Sequence, residues 1–425
     1  MRSTDSRVDA RIETTPSGST EKMKVLVLSR SYPNSILPLH GLWVQRLVRH
    51  LATHCEVKVV APVQYCPPLP GLPEYYRRFR RIEEQSWSGS VEVLHPRYPV
   101  GPGTLLHGVE ATGCYLGIRG SVARLRRDFP FDLIHAHHTY PDGVVAARLS
   151  RQFGVPFVVT EQSPWLPWMA ERAYIRRQAL WAANRSKYQV AISRLVRDEM
   201  VQLLGDSSRV RIIPDGVDGE AFTPGADSTN WNPNQIVFVG FINYIKGFDI
   251  LLKALQQLGQ RRPNTRLVVV GGSYFRGKKI LEDRLRQMTV DLGLSNVVQF
   301  AGTKSLPDLV QTIRESALLV LPSRSESFGS VLVEALACGT PVVATKCGGP
   351  EDIVTDEVGR LVPREDPDAL ATALEDVLEN RHRFDPASLR RYALANFDWA
   401  RIAEKYIDLY REALDRSFIK QSEGV

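Results

Sequence analysis

The sequence has no hydrophobic run long enough to cross a membrane as a helix. Such a span needs about 18 consecutive apolar residues, but the longest candidates, KVLVLS and RLVVVGG, have the length of single strands. Hydrophobic residues make up 43% of the 425 residues and charged residues 24%, as in ordinary globular proteins of two to three domains. We therefore expect any contact with a membrane to be peripheral.

Cysteine is scarce, and its spacing argues against disulfide and zinc sites. The five cysteines are odd in number and scattered, and none forms a C-x-x-C pair. We expect reduced thiols, as in a cytosolic protein, with no disulfide and no structural metal. The cysteines are Cys55, Cys66, Cys114, Cys338 and Cys347.

An apolar export signal is missing as well. Residues 1–22 are polar and charged and contain no apolar core. We expect them to form a disordered leader rather than a signal peptide, and we expect a cytoplasmic protein.

Two common nucleotide-binding signatures are absent from the sequence. No G-x-G-x-x-G follows an apolar strand, which argues against a dinucleotide-dependent oxidoreductase. Residues 272–279, GSYFRGKK, nearly spell a P-loop, but Lys279 takes the place of the Ser or Thr that would hold magnesium. ATPase and kinase chemistry are therefore not expected.

Apolar runs of strand length alternate with helical patterns from Met23 onward, in two successive halves. This alternation predicts an α/β protein with parallel sheets covered on both faces. Residues 215–234, DGVDGEAFTPGADSTNWNPN, are rich in Gly, Pro, Asn and Asp and are expected to link the halves. Residues 399–414 end the pattern with a broad apolar helix face that must pack on another part of the protein.

Residues 317–345 hold the densest pattern: an apolar run, a Ser-rich turn, a short helix, a turn and a second apolar run. The helix is expected to run from Phe328 to Ala337, with Ser325 or Ser327 as its cap. Gly329 leaves room for a ligand where free backbone amides and the helix dipole favour an anion such as phosphate. Glu326 precedes the helix and Glu334 lies inside it, about 9 Å beyond its start. Two carboxylates beside an anion site suit a ligand with hydroxyls on both sides of a diphosphate.

Two glutamates alone would be ordinary solvent-exposed residues. Glu334, however, lies among apolar neighbours, and the whole stretch resembles the signature of retaining glycosyltransferase family 4, in which seven residues separate two glutamates. The resemblance continues through CGTPVVATKCGGPEDIV and VGRLVP, and weaker similarity extends from Met23 to Leu414. It implies the GT-B fold, in which two doubly wound, Rossmann-like domains face each other across a cleft and a final helix crosses back to the first domain.

The resemblance also implies a division of the chain. The expected segments are a leader at 1–22, an N-terminal acceptor-side domain at 23–214, a C-terminal nucleotide-sugar-binding domain at 215–396, a crossover helix at 397–416 and a tail at 417–425.

The same resemblance assigns roles to the residues around the short helix. Glu334 is expected to bind the ribose of a nucleoside-diphosphate sugar, and Glu326 the hydroxyls of the transferred hexose. Phe328, Gly329 and Ser330 are expected to bind the diphosphate at the helix start. The resemblance implies no metal and no cofactor apart from the sugar donor itself.

The segment VFVGFINYIKGFDILLKAL contributes a further candidate. Its Lys246 and Gly247 match a Lys-Gly pair of the family, and a lysine there offers positive charge to the leaving phosphate. The family usually has an arginine after the first glycine, but this chain has Phe241. Either backbone amides replace the missing charge or the activity is reduced.

The first half contributes Gly41 and His137. Gly41 matches a family glycine in a loop that approaches the donor, although a turn glycine is as natural there. Strand alternation places His135 and His137 on one face and His138 on the other. His137 matches a family histidine near the transferred sugar, whereas a buried core histidine is the default interpretation.

The first half is also the basic half. Through Pro214 it has 29 Lys and Arg against 18 Asp and Glu. Within residues 75–87, Tyr75, Phe79 and Ile82 recur at helical spacing among arginines, a pattern typical of helices on an anionic membrane or beside a phosphate-bearing acceptor. A solvated helix face is the alternative. Nucleic acid is not an expected partner, because no binding motif for it is present.

The sequence as a whole therefore favours a retaining, metal-independent hexosyltransferase. It would act on a glycan or lipid-linked acceptor, and its opening residues resemble bacterial enzymes of cell-surface polysaccharide synthesis. Two alternatives remain open: another GT-B enzyme, such as a sugar-nucleotide 2-epimerase or a phosphorylase, and a non-catalytic sugar-nucleotide binder.

Overall fold

The computed structural model describes most of the chain. The described residues are 22–65, 77–99, 107–163, 172–226, 230–272 and 279–415. Residues 1–21 of the predicted leader, the predicted tail at 417–425, Cys66 and Tyr75 lie outside them.

The first half of the chain forms an eight-stranded sheet and a separate strand pair. The sheet order is β10-β9-β8-β7-β1-β2-β5-β4, parallel except for the pairing of β4 with β5, while β3 pairs with β6. The strands are β1 Lys24–Leu28, β2 Glu56–Val60, β3 Val63–Tyr65, β4 Gln85–Ser88, β5 Val91–Leu94, β6 Arg97–Pro99, β7 Leu133–His137, β8 Phe157–Glu161, β9 Tyr188–Ala191 and β10 Val210–Ile212.

Helices cover both faces of this sheet because its strands are apolar on both sides. In β1, Val25 and Val27 face one core cluster while Leu26 and Leu28 face the other. The helices are α1 Leu42–His54, α2 Glu110–Asp128, α3 Val144–Phe153, α4 Ala173–Ala183 and α5 Arg194–Leu204. Helix α1 packs on the first face, and α2, α3 and α4 pack on the second.

The second half forms a six-stranded parallel sheet of order β13-β12-β11-β14-β15-β16. Its strands are β11 Asn232–Val239, β12 Arg266–Val270, β13 Val298–Gly302, β14 Ser316–Leu321, β15 Val342–Thr345 and β16 Gly359–Val362. Its helices are α6 Phe248–Arg261, α7 Lys279–Asp291, α8 Leu306–Arg314, α9 Ser330–Ala337, α10 Pro367–Glu379 and α11 Pro386–Phe397.

The last helix, α12, spans Trp399–Leu414 and returns to the first domain. The Asp398 side chain caps it by accepting a hydrogen bond from the Ala400 amide at 2.7 Å. Its buried face joins the core cluster beneath α1, and the Tyr406 hydroxyl lies 3.0 Å from that of Thr160 in β8. The predicted fold of two parallel-sheet domains with a returning helix is therefore confirmed.

The basic segment at 75–87 differs from the predicted amphipathic helix. Its described part forms a short 3-10 turn, Phe79–Arg81, and then strand β4. Phe79 and Ile82 are buried against Val63 rather than exposed. Phe79 and Ile82 thus belong to the core of the first domain, whereas the arginines on either side of Phe79 face solvent.

Two expectations about composition can be compared with the described residues. None of the described helices is both long enough and apolar enough to cross a membrane. The four described cysteines are buried free thiols.

Candidate active site

A cavity of about 690 Å³ lies in the cleft between the two domains. Leu39, Leu42 and Arg46 border it from the first domain, and Phe241 and Glu334 border it from the second. It lies where ligands bind in doubly wound folds, at the carboxyl ends of parallel strands.

The start of α9 has the backbone geometry that favours an anion. Gly329 adopts a left-handed conformation with φ 98°, and the helix proper begins at Ser330. No side chain caps the helix, so its first backbone amides remain available to a ligand. The helix starts two residues later than the sequence predicts, because the left-handed conformation of Gly329 interrupts it there.

The loop that carries Glu326 is held by backbone contacts with the Gly-Gly turn at 348–349. The Glu326 amide donates to the Cys347 carbonyl at 3.3 Å, and the Gly349 amide donates to the Glu326 carbonyl at 2.8 Å. A Cβ at Gly349 would lie 2.3 Å from the Cα of Phe328, so only glycine fits there. This packing fixes Glu326 ahead of α9.

Lys246 lies against Glu326, and the two side chains form an ion pair. Gly247, with φ 64°, allows this approach, because a Cβ there would lie 1.9 Å from the Pro322 carbonyl oxygen. Arg324 fixes the same loop by donating two hydrogen bonds, of 2.7 and 2.8 Å, to Asp249. The structure thus brings Lys246 from one predicted segment against Glu326 from another, just ahead of α9.

Glu334 lies one to two turns into α9 and faces the first domain. Its Oε1 accepts a hydrogen bond of 3.1 Å from Arg46 Nη1 of α1. Burial raises the pKa of Glu334 above its ordinary value, and Arg46 opposes that rise. Sequence reasoning missed Arg46, because a basic residue on an amphipathic helix carries no local sign of a distant partner.

His137 ends β7 and is completely buried. Neither ring nitrogen has a hydrogen-bond partner within the described structure. The ring of His135 lies 4.3 Å away between centroids, and His135 itself is bonded to Thr160 at 2.8 Å and Tyr410 at 2.6 Å. Burial lowers the pKa of both histidines, that of His135 to about 3, so both rings are neutral.

The strand alternation expected for these histidines is present, since His138 turns the other way and bonds to Glu161 at 3.1 Å. His137 is not among the described residues that border the cleft cavity. Among the predicted site residues, Glu334 borders this cavity, whereas Glu326, Lys246 and Gly329 do not. The structure groups Glu326 with Lys246 just ahead of α9 and keeps His137 buried in the first domain.

Gly41 lies at the first-domain edge of the cleft, in the left-handed region with φ 76°. A Cβ there would lie 2.0 Å from the carbonyl oxygen of Ser31. The backbone of its own domain thus suffices to explain this glycine. Leu39 and Leu42, on either side of it, border the cavity.

Comparison with known proteins decides the family. The model of Glycosyltransferase Family 4 matches residues 41–221, and that of Glycosyl transferases group 1 matches residues 225–394. The D-inositol 3-phosphate glycosyltransferase of Frankia alni is 33% identical over 316 residues, which cover 67% of this chain and 75% of that protein. The chain belongs to glycosyltransferase family 4. The enzyme of the same name from Pseudarthrobacter chlorophenolicus is 30% identical over 369 residues, which cover 76% and 83% of the two chains.

Solved structures agree on the GT-B fold of this glycosyltransferase. HepE from Anabaena, solved in complex with UDP, is 21% identical with a TM-score of 0.70 and covers 92% of this chain and 100% of its own. Sucrose-phosphate synthase from Thermosynechococcus elongatus is 22% identical with a TM-score of 0.73 and covers 92% and 99%.

Two features of this glycosyltransferase modify the expected charge in the cleft. Phe241, at the position where the family usually has arginine, borders the cavity with 46% of its surface exposed. Asp215, interpreted from sequence only as part of a turn, is buried, and burial raises its pKa to about 7. Gln162, Arg46 and His138 lie near enough to oppose that rise.

The structure also allows a search for metal ligands. Among the described residues, no group of three His, Cys, Asp or Glu side chains is arranged to hold a metal ion.

Proposed function

We propose that this glycosyltransferase moves a hexose from a nucleoside-diphosphate sugar to a hydroxyl of a glycan or lipid-linked acceptor, with retention of anomeric configuration. The observation that carries the proposal is the grouping of Lys246, Glu326 and the uncapped start of α9, with Glu334 farther along the same helix. The Lys246 cation and the backbone amides at the start of α9 suit a diphosphate. Glu326 and Glu334, on either side of them, suit the hydroxyls of the hexose and of the ribose.

In this proposal the nucleotide lies along the cleft. Glu334 accepts hydrogen bonds from the ribose hydroxyls, and the amides at Gly329 and Ser330 bind the diphosphate. HepE, which shares the fold, was solved with UDP and with UDP-glucose, and this supports a nucleotide-sugar donor. The base and the hexose of the donor used by this chain are the first quantities to measure.

The proposed chemistry uses positive charge at the leaving group. As the bond between the anomeric carbon and the phosphate oxygen breaks, negative charge grows on the diphosphate, and Lys246 stabilises it. Glu326 and His137 hold the hexose through its hydroxyls. The acceptor hydroxyl attacks the anomeric carbon from the face that the phosphate leaves, and its proton passes to the departing phosphate. No metal takes part in this scheme.

His137 is neutral, and its ring nitrogens have no hydrogen-bond partner within the described structure. Both facts support a role in holding the hexose. A buried imidazole with two unsatisfied nitrogens is costly unless a ligand or water satisfies it. A hexose hydroxyl can supply that partner if the cleft wall moves on donor binding. His137 would then orient the sugar without a change of protonation.

The proposal places the enzyme at the inner face of a bacterial membrane, in the synthesis of cell-surface polysaccharide. Arg77, Arg78, Arg80 and Arg81 are exposed on one turn of the first domain. Because Phe79 and Ile82 are buried, attraction to an anionic membrane would be electrostatic and without insertion. Binding to anionic vesicles should therefore disappear in high salt.

The proposed function is tested by incubating the full chain with α-linked UDP-, GDP- and ADP-hexoses and a set of glycan acceptors. Proton NMR of the anomeric signals should show an α-linked product, in the presence of a metal chelator. Glu326→Gln should abolish it, whereas Glu357→Gln, an exposed glutamate of the same domain, should leave it unchanged.

The alternatives give different results in the same experiment. A β-linked product would contradict retention. An epimerised sugar nucleotide would indicate an epimerase, a sugar phosphate formed in the presence of inorganic phosphate would indicate a phosphorylase, and nucleotide binding without any turnover would indicate a non-catalytic binder.

A further inference from the structure

A second cavity, which we call the first-domain cavity, lies entirely within the first domain. Its volume is about 250 Å³, which is close to the lower end for ligand pockets. The residues that border it include Arg30, Asn34, Leu37, His40, Gln64, His95 and Tyr98.

One loop separates this cavity from the cleft. Leu37 and His40 border the first-domain cavity, while Leu39 and Leu42, beside them in sequence, border the cleft. A ligand in the first-domain cavity would therefore lie next to the proposed donor site. This is the position that an acceptor must occupy if its hydroxyl is to reach the donor sugar.

The charged group in the wall of the cavity, Arg30, is already neutralised. Its Nη1 donates to Glu110 at 2.5 Å, and its Nε donates to Asp142 at 3.1 Å. Its backbone amide also donates to Asp142, at 3.0 Å. Burial opposes the charge of Arg30, but Tyr98, Asp142 and Glu110 hold its pKa above the usual value. Burial raises the pKa of Asp142, and Arg30 opposes that rise. The guanidinium of Arg30 is thus shared between two carboxyl groups, and the cluster offers no unpaired cation to a ligand.

The histidines of the cavity add no positive charge. His40 and His95 border it, and burial lowers the pKa of both below the ordinary histidine value, with His138 and Arg30 lowering that of His40 further. Burial lowers the pKa of nearby His138, but its hydrogen bond with Glu161 raises that pKa above the ordinary value. The two side chains pair with each other and together add no net positive charge.

The segments that follow the strands nearest the cavity add no basic residue. The stretches 66–76, 100–106 and 164–171, which follow β3, β6 and β8 and lie outside the described residues, contain no Lys or Arg. The arginines beside Phe79 are exposed and are not among the described residues that border the cavity. A phosphate inside the cavity would therefore meet two carboxyl groups and no unpaired cation among the described residues that border it.

The cavity does offer neutral hydrogen-bonding groups. Asn34 and Gln64 border it, and Gln64 Nε2 lies 3.4 Å from Glu110. His40 Nδ1 is buried and has no partner within the described structure. Amide, imidazole and carboxylate groups of this kind recognise hydroxyls.

We propose that the first-domain cavity binds an uncharged sugar or cyclitol ring of the acceptor and discriminates against a phosphorylated ring. The proposal rests on the proposed function, because it assigns the acceptor of that same transfer. It separates this chain from its relatives named D-inositol 3-phosphate glycosyltransferases, whose name gives a phosphorylated acceptor. Any phosphate or lipid of the acceptor would lie outside the cavity.

The test compares matched pairs of acceptors with the full chain and the donor that supports turnover. The pairs are myo-inositol with D-inositol 3-phosphate, and glucose and N-acetylglucosamine with their phosphates. Within a pair, the neutral compound should show a kcat/KM at least about ten-fold higher, a factor worth about 1.4 kcal/mol. A higher kcat/KM for the phosphorylated member would overturn the proposal.

A charge variant tests the same point from the protein side. Gln64→Lys adds a positive charge beside Glu110 without breaking the buried ion pairs, and it should raise kcat/KM for the phosphorylated acceptor roughly ten-fold. Ser90→Lys adds the same charge at an exposed turn that does not border the cavity, and it should have no effect. Equal effects of the two variants would show that the gain is not local and would contradict the proposal.

Donor hydrolysis in the absence of acceptor separates this proposal from the function on which it rests. If the chain neither binds nor hydrolyses any nucleotide sugar, the proposed function fails. If it hydrolyses the donor and then prefers phosphorylated acceptors, only the acceptor proposal fails.

Discussion

Arg46 and Glu334 are separated by 288 residues in the chain, yet they form an ion pair of 3.1 Å across the interdomain cleft. Both side chains are mostly buried, with 22% and 13% of their surface exposed. The carboxylate assigned to the ribose therefore also joins the domains, as Asp352 does through its ion pair with Arg194. Nucleotide binding and closure of the cleft should depend on the same charged group.

The first prediction concerns the pH dependence of this pair. Arg46→Gln removes the cation that opposes the rise in the pKa of Glu334, so the carboxylate should protonate at a higher pH than in the natural chain. Nucleotide affinity should then fall on acidification at a higher pH than in the natural chain. Calorimetric titrations between pH 5 and 8 measure this shift.

Arg49→Gln is the matched control, because Arg49 borders the same cavity from the same helix and donates to Ser88 instead, at 3.4 Å. Its pH profile should match that of the natural chain. Identical profiles for all three proteins would show that Arg46 does not control the charge of Glu334.

The second prediction concerns Lys246. Lys246→Met removes the positive charge nearest to Glu326 and to the proposed leaving group, and it should lower kcat about 100-fold with a smaller change in nucleotide affinity. Lys253→Met, on the exposed face of α6, should leave both quantities unchanged. A normal kcat in Lys246→Met would remove this lysine from the mechanism.

The third prediction restores the charge that the family usually has. Phe241→Arg adds a guanidinium at the cavity, and it should tighten binding of a nucleoside diphosphate roughly ten-fold, with a steeper dependence on salt. Phe241→Leu keeps the position apolar and should not produce this gain. Unchanged affinity in Phe241→Arg would mean that the diphosphate does not pass this residue.

The fourth prediction concerns stability and Asp215. Burial raises its pKa from 3.8 to about 7, so folding favours the protonated acid. Its contribution is fully present below pH 3.8 and is lost as the pH rises through about 7. Asp215→Asn should therefore match the natural chain near pH 4 and become more stable above pH 7, by ~4 kcal/mol at most.

Urea unfolding at a series of pH values measures this difference. The sign of the change in this stability difference with pH decides the prediction. A variant that loses stability relative to the natural chain as the pH rises would show that Asp215 is stabilised in its ionised form, for example by Arg46.

Much of the architecture could be predicted from sequence because its causes are local. Apolar runs of strand length, separated by helical patterns, specify both parallel sheets, and the apolar face of α12 requires a partner. Glu326 is predicted from the turn before the short helix together with the family resemblance, and Lys246 from the family resemblance alone. The structure then explains their meeting through Gly247 and Gly349, where a side chain would collide with the backbone.

The features that sequence reasoning missed depend on distant contacts. Helical spacing of Phe79 and Ile82 suggested a surface helix, but a short segment satisfies that spacing by chance, and both residues pack on Val63. The neutralisation of Arg30 joins residues from the loop after β1, from α2 and from the turn after β7. Asp215 is buried near Gln162, Arg46 and His138, which are distant from it in the chain, so no local pattern reports its burial.

The central claim is that Glu334 binds the ribose of a nucleotide in the cleft. The most direct test is calorimetric titration with UDP, GDP and ADP of the natural chain, of Glu334→Ala and of the exposed control Glu357→Ala. The account predicts that one nucleotide binds selectively, that Glu334→Ala weakens it at least ten-fold and that the control does not. Absence of binding by all three nucleotides, or full affinity in Glu334→Ala, would contradict it.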